Sequence, residues 1–262
     1  MTDGPDPVTR SATLLRAART GETETVAGIW REFARLGSTD LATALSGDDA
    51  RTAFWLNVYN AAVQDDLRED PSRYDSRIRF FAGDRVIVAG HDLSLNDIEH
   101  GILRRSKSAL GLGYVPRLLP SRFERTHRVE ELDARIHFAL NCGAASCPPI
   151  AAYSTADLDE ELALASRSYL ETEVDYDLDD SVVRVPQLFL WYRGDFGGRS
   201  GIRDCLRAYG RLPEGTSPKI RYKSYDWSLE LDAFRDREAD DAKVTVVEDA
   251  DDPDGASVET RT

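Results

Sequence analysis

Lysine is nearly missing from this chain. Of its 33 basic residues only Lys107, Lys219, Lys223 and Lys243 are lysines, and the other 29 are arginines. Acidic residues number 47, which leaves a net charge of -14 and a pI near 4.8. Phosphate backbones need a basic surface, so nucleic acid is excluded as the expected partner. Excess acid with scarce lysine is the balance of a protein that works in concentrated salt, where screening removes the self-repulsion of such a charge. The composition therefore predicts a halophilic, cytoplasmic protein of haloarchaeal type. Long apolar runs are also missing: none approaches the ~20 residues of a membrane span. MTDGPDPVTR shows neither the basic nor the apolar segment of a signal peptide, so no membrane partner is expected. Cysteine is scarce and odd in number: Cys142, Cys147 and Cys205. That argues against a disulfide framework. What remains is a chain of 262 residues, 41% hydrophobic, which is enough for a sizeable core.

Hydrophobic periodicity predicts two amphipathic helices over 8–20 and 22–36, separated by Gly21 and closed by Gly37 with Ser38-Thr39-Asp40, after a frayed start over 1–7. A longer helix follows over 48–70, stopped by Pro71. It carries FWLNVYNAAVQ, in which Asn57, Asn60 and Gln64 form one polar stripe on an apolar helix. Such amides either satisfy loop backbone in the interior or line a pocket. DRVIVAGHDL reads as a hairpin turning at Ala89-Gly90. Ser94 then caps a helix, with Asp97 three residues on as a capping box. On that helix Glu99 shares the row of Leu95 and Leu103, so its carboxylate must be paired, hydrogen-bonded or protonated; His100 flanks the same face. Residues 106–131 read as an irregular covering or binding loop, with His127 on the surface.

In ARIHFALN, Ile136, Phe138 and Leu140 alternate with His137, Ala139 and Asn141. This predicts a strand with His137 and Asn141 facing away from the core. A helix over 155–171, a hairpin over 174–185 turning at Asp179-Asp180, a short helix with a Gly-rich turn in PQLFLWYRGDFGG, a helix over 200–209 holding Cys205 as a core thiol, and a last strand over 219–230 complete the chain. Residues 238–262 hold nine acids against Lys243 and Arg261, half of the total net charge, and read as a disordered acidic tail. The expected organisation is an N-terminal helical hairpin over 1–47, a domain over 48–237 and the tail.

The densest reactive chemistry is DARIHFALNCGAASCPPI. A thiolate nucleophile needs exposure at a turn, a setting that lowers its pKa and a base within reach. Cys142 enters a loop of small residues whose N–H groups suit an oxyanion hole. His137 and His100 are the candidate bases, and Glu99 or Asn57 would orient them. Asn57, Asn60, Asn141, Ser146 and Cys147 are the candidate binding residues, Cys147 as a loop anchor. C-x4-C lacks the paired C-x2-C of the usual zinc sites, so no metal is expected, and no cofactor. Cys142 and Cys147 are also read as buried small hydrophobes fixing the loop, or as a disulfide, although the spacing is not C-x-x-C.

In order, FWLNVYNAAV, LSLNDIEHGILR, DARIHFALNCGAASCPP, FLWYRGDFG and YDWSL resemble the domain of unknown function 547 family over residues 50–230. That family includes stand-alone prokaryotic proteins and the C-termini of plant proteins with a leucine zipper. The resemblance implies domain bounds and no reaction. Its typical positions fall here on Asn57, Asn60, Glu99, His100, His137, Cys142 and Cys147. The closing motif usually ends in Asn, where this chain has Glu230. The expected fold is α+β, a mainly helical single domain with small antiparallel β-hairpins. The expected function is a thiol-dependent hydrolase or acyl or amide transferase using Cys142 with a His base. The alternative is a non-catalytic scaffold or binding domain for a peptide or small molecule.

Overall fold

The structure, a computed structural model, describes residues 6–234 apart from 232. The acidic segment 238–262 lies outside the described residues. α1 (Pro7–Thr20) begins on Asp6, whose carboxylate accepts the Thr9 N–H at 3.0 Å, with Pro7 in the first turn. Proline loses nothing there, because its missing N–H would have had no partner. The chain is thus helical from Pro7; the rest of the start expected to be frayed, residues 1–5, lies outside the described residues. α2 (Thr23–Arg35) follows Gly21, whose φ of 73° closes α1 in the left-handed region. Ser38-Thr39-Asp40, expected only as a stop, opens another helix, α3 (Ser38–Ala44).

α4 (Asp48–Glu69) organises the rest. It is apolar on nearly every side, and a helix of that kind belongs inside. Phe54, Trp55, Leu56, Val58 and Val63 are fully buried, and α1 packs along it. A 3-10 turn (Pro71–Ser76) and α5 (Arg77–Ala82) lead to the hairpin of β1 (Asp84–Val88) and β2 (His91–Ser94). Its turn residues Ala89 and Gly90 both have positive φ, 51° and 72°. That twist matches two-residue hairpins. The turn is docked on the end of α2, where Ala89 N–H donates to Phe33 O at 2.8 Å.

Ser94 and Asp97 form the expected box. Ser94 Oγ donates to the Asp97 carboxylate at 2.6 Å, and Asp97 N–H donates back to Ser94 Oγ at 3.1 Å. The helix they open, however, is a π-helical turn, Asp97–Leu103, in which Arg104 N–H reaches Glu99 O at 2.8 Å. α6 (Arg122–His127) interrupts the loop that follows. His127 is not on the surface: it is 1% exposed, its ring 4.1 Å from that of Phe123 and its Nε2 3.0 Å from Ser38 Oγ. Burial pushes its pKa down to about 4. Charged neighbours in sequence misplaced it, because Arg122 and Arg125 point outward from the same short helix while His127 points in.

The predicted strand in ARIHFALN is instead a 3-10 turn, Ala134–Phe138, started by Asp133 accepting the Arg135 N–H. Ile136 joins the large core around α4, while Phe138 joins a second core under α7 (Leu158–Glu173), α8 (Leu188–Trp191) and α9 (Gly198–Ala208). A segment buried on all sides has no wet face for alternation to report. His137 therefore lies in the seam between the cores, 4% exposed, and does not face outward. The second core backs a sheet in which β3 (Asp175–Asp177) pairs antiparallel with β4 (Val182–Val185), and β4 pairs parallel with β5 (Lys219–Tyr222). The last strand is shorter than expected, and its parallel partner was not anticipated. The fold is a mainly helical α+β domain with small sheets. Among the described residues no helix is long and apolar enough to cross a membrane.

Candidate functional site

The polar stripe of α4 holds the cysteine loop. Asn57 clamps the backbone of Tyr153, donating to its O at 2.8 Å and accepting its N–H at 2.9 Å. Asn60 does the same for the strand-like exit from the 3-10 turn: its Nδ2 donates to Ala139 O at 3.0 Å and its Oδ1 accepts Asn141 N–H at 2.9 Å. Asn141 passes the constraint on, donating to Pro148 O and accepting Gly143 N–H, so one amide closes a ring across the loop 142–148. The other side of the loop is paired to the chain's closing motif. Ala145 N–H donates to Ser228 O, Glu230 N–H to Gly143 O, and Asp226 N–H to Ser146 Oγ. Gly143 sits at φ 87°, and a Cβ there would meet Leu67 at 2.9 Å. Buried amides satisfied in this way fix a loop in one geometry.

What the loop holds in place is a pair of thiols. Cys142 Sγ and Cys147 Sγ lie 3.0 Å apart, both half-buried. Cys142 N–H donates to Cys147 Sγ at 3.1 Å, and the Tyr225 hydroxyl stands 3.1 Å from the same sulfur and 3.6 Å from Cys142 Sγ. Burial disfavours the Cys147 thiolate, but the Cys142 thiol, Tyr225, Cys142 N–H and Ala144 N–H outweigh it, so its pKa falls. The contact with Cys147, then burial, push Cys142 well up. Cys205, which lies apart in α9, is pushed up to about 12 by burial.

Both sulfurs open on a cavity of about 410 Å³. Glu99, His100 and His137 line the same cavity, with Trp191, Tyr225 and Trp227 as its aromatic wall. Five of the nine residues expected to form a site are thus brought together. Asn57, Asn60, Asn141 and Ser146 stand behind the wall and engage backbone instead. Neither imidazole is hydrogen-bonded to a sulfur among the described residues; each is bound into a charged cluster. His137 Nε2 is 2.9 Å from Asp195 Oδ2, and Arg104 Nε donates to the same oxygen at 2.7 Å. Arg104 Nη1 donates to His100 Nδ1 at 2.8 Å. Glu99 accepts the Tyr192 hydroxyl at 2.6 Å and that of Tyr59 at 3.3 Å. The Tyr192 ring stacks on His137 at 3.8 Å, and the Arg104 guanidinium lies 4.6 Å from its centre.

The electrostatics follow from that packing. Burial pushes both imidazoles below their usual pKa, and the carboxylates near them recover only part of it. For Asp195, burial is outweighed by His137 and Arg104, which hold its carboxyl below the usual range. Glu99 is likewise held down against burial by His100, Arg104 and the Tyr192 hydroxyl. The π turn is what makes this possible, since its wider register turns Glu99, His100 and Arg104 toward one side. Arg104, Asp195, Tyr192 and Tyr225 were not singled out from sequence. Their signal lay in the LSLNDIEHGILR motif, which ends on Arg104, and in the FLWYRGDFG and YDWSL motifs, which place aromatic and charged residues side by side.

A strap covers this cluster. Lys107 pairs with Pro116, and the tip between them lines the cavity mouth with Leu110, Gly111 and Leu112. Gly194 N–H donates to Leu112 O at 2.8 Å, and a Cβ on Gly194 would sit 2.5 Å from Gly113 C. Gly194→Ala is therefore expected to lift the strap at a cost of ~1–3 kcal/mol. Proteolytic cleavage between Ser108 and Val115 should quicken while far-UV circular dichroism holds; unchanged cleavage would refute the docking.

The arrangement defines a class: a mainly helical α+β domain with a thiol pair in the wall of an aromatic cavity, backed by a buried acid–base cluster. Residues 43–170, just under half of the chain, match the family described as Protein of unknown function, DUF547. The match runs from the end of α3 into α7, so the motifs carrying Tyr192, Asp195 and Tyr225 lie beyond it. No curated protein and no solved structure matches the chain.

Proposed function

We propose that this chain is a thiol-dependent enzyme that hydrolyses or transfers the acyl group of a small, largely apolar ester, thioester or amide. The nucleophile in this reading is Cys147, with Cys142 as its donor, which exchanges the roles expected from sequence. One observation carries it: the Cys147 sulfur receives the Cys142 N–H at 3.1 Å beside the Cys142 thiol and the Tyr225 hydroxyl, at the wall of the cavity. Donors aimed at a sulfur favour the thiolate, which is the attacking form. Attack by the thiolate would form the S–C bond of a thioester and break the bond from the acyl carbon to the leaving group, which departs as its anion and is protonated by water. Water or an acceptor would then break that bond. Asp195 takes the Nε2–H of His137, leaving its Nδ1 unprotonated for the acceptor's proton. Arg104 occupies His100 Nδ1, so a neutral His100 keeps its proton on Nε2 and serves as a donor to substrate. Glu99 orients Tyr59 and Tyr192, while Asn57, Asn60, Asn141 and Ser146 position the loop. The same aromatic cavity supports the alternative, a module that binds a small molecule or peptide without chemistry.

The test is acylation by p-nitrophenyl esters of increasing chain length, followed by intact and peptide mass. One acyl group should appear on Cys147, disappear in Cys147→Ala and never reach Cys205. Esters that bind yet leave no adduct would favour the binding module, and adducts that persist in Cys147→Ala would overturn the assignment.

A further inference from the structure

We propose that Cys142 and Cys147 also form a redox dithiol, which passes between dithiol and disulfide by exchange with a small, uncharged, apolar organic disulfide. The two sulfurs are already 3.0 Å apart, and a disulfide bond is about 2.05 Å, so closure asks for a movement of ~1 Å. The segment between them, Gly143-Ala144-Ala145-Ser146, has small side chains only. It is held from outside by Asn141 and by the pairing with Ser228 and Glu230, so its ends stay where they are as the sulfurs approach. The pair is chemically unequal. Cys147 receives the Cys142 N–H at 3.1 Å and stands nearer the Tyr225 hydroxyl, 3.1 Å against 3.6 Å for Cys142, which makes Cys147 the attacking sulfur and Cys142 the resolving one. Both open on the same cavity, whose wall near the sulfurs is Leu140, Pro148, Trp191 and Trp227, so the co-substrate it admits is apolar. In a reducing compartment a disulfide at such a place is transient, as in exchange catalysis, and not structural.

The chemistry balances. The Cys147 thiolate attacks a sulfur of the organic disulfide, forming a mixed disulfide and releasing one thiolate. Cys142 then attacks Cys147 Sγ, and the second organic sulfur leaves with the proton of Cys142. Two electrons pass from the protein pair to the organic disulfide, which becomes one thiol and one thiolate. The Tyr225 hydroxyl, within reach of both sulfurs, stabilises whichever protein sulfur carries charge. The proposal shares Cys147 with the acyl-transfer reading but requires none of its acyl chemistry.

The experiment treats the full chain with 2,2′-dipyridyl disulfide and follows pyridine-2-thione release and intact mass. The wild type should release two equivalents and lose two hydrogens without keeping an adduct. Cys142→Ala should release one and hold a stable adduct on Cys147. Cys147→Ala should react more slowly than the wild type and close no disulfide, since Cys142, though relieved of its neighbour, is still disfavoured as thiolate by burial, and burial holds Cys205 protonated. Oxidised glutathione, bulky and charged, should react far more slowly than the aromatic disulfide. A stable adduct on Cys147 in the wild type, or separate adducts on both cysteines, would overturn the dithiol. Acylation at Cys147 without disulfide closure would leave the acyl reading standing and remove this one; closure without acylation would do the reverse.

Discussion

Replacing Arg104 with Met is expected to destabilise the fold by about 3–5 kcal/mol at neutral pH, the usual loss when one partner of a buried ion pair is removed. Arg104 and Asp195 side chains are both 0% exposed and meet at 2.7 Å. The same guanidinium supports His100 and lies over Tyr192, and Glu99 is close by as a second carboxylate. Without Arg104, two buried acids would face each other's field with the imidazoles of His100 and His137 beside them. Asp195 titrates below its usual value in the native state, so it contributes stability above the unfolded pKa of about 3.9 that is lost as pH falls through the folded value. In the variant that contribution shrinks, since only His137 still lowers the Asp195 pKa, and the gap between variant and wild type should narrow as pH falls into the carboxylate range. Urea unfolding at pH 7.5 and pH 4.5 reads this directly. Asp195→Asn placed on Arg104→Met should recover part of the loss, because the unpaired charge goes with it. A loss under ~1 kcal/mol, or strict additivity of the two changes, would mean that the pair is not coupled as the geometry has it.

That pair also marks the limit of what the sequence could disclose. α4 was legible because an apolar stretch that long, with a proline at its end, admits one reading. The hairpin was legible because Ala89-Gly90 sits between alternating residues, and the box at Ser94 because both its members are within three positions. Glu99 was rightly expected to need a partner, since its row on the helix is otherwise apolar. Its partners, the hydroxyls of Tyr59 and Tyr192, come from other elements that no local pattern connects to it. Arg104 and Asp195 are 91 positions apart. Periodicity reports a face only where one side of an element is wet; the turn carrying His137 is buried on all sides, and the alternation in ARIHFALN therefore misled. The cavity gathers Glu99, His100, His137 and both thiols, yet which thiol holds the charge depends on one backbone N–H and on a tyrosine from the far end of the chain. Neither is written in the C-x4-C spacing.

Substituting Cys142 with Ala should therefore act on Cys147 more than on itself. In the wild type the Cys147 sulfur is favoured as thiolate by the Cys142 thiol, Tyr225 and the N–H groups of Cys142 and Ala144, acting against burial. Cys142→Ala removes the first of these and leaves the backbone N–H. A hydrogen bond to a charged group contributes about 1.5–3 kcal/mol. At 1.36 kcal/mol per pH unit, the apparent pKa of Cys147 should rise by about 1–2 units. At neutral pH the thiolate fraction, and with it the rate of iodoacetamide labelling at Cys147, should fall about 10- to 100-fold, and the rate should recover as pH is raised through the new pKa. Tyr225→Phe should shift the profile in the same direction, since it deletes a donor to the same sulfur. Cys147→Ala has a different signature: Cys142 loses the neighbour that pushes it up, so its own labelling becomes faster than in the wild type, while Cys205 in either variant stays slow. If labelling of Cys147 is unmoved by Cys142→Ala, or if Cys142 is the faster thiol in the wild type, the charge sits on the other sulfur, and both the nucleophile and the attacking partner of the dithiol must be exchanged.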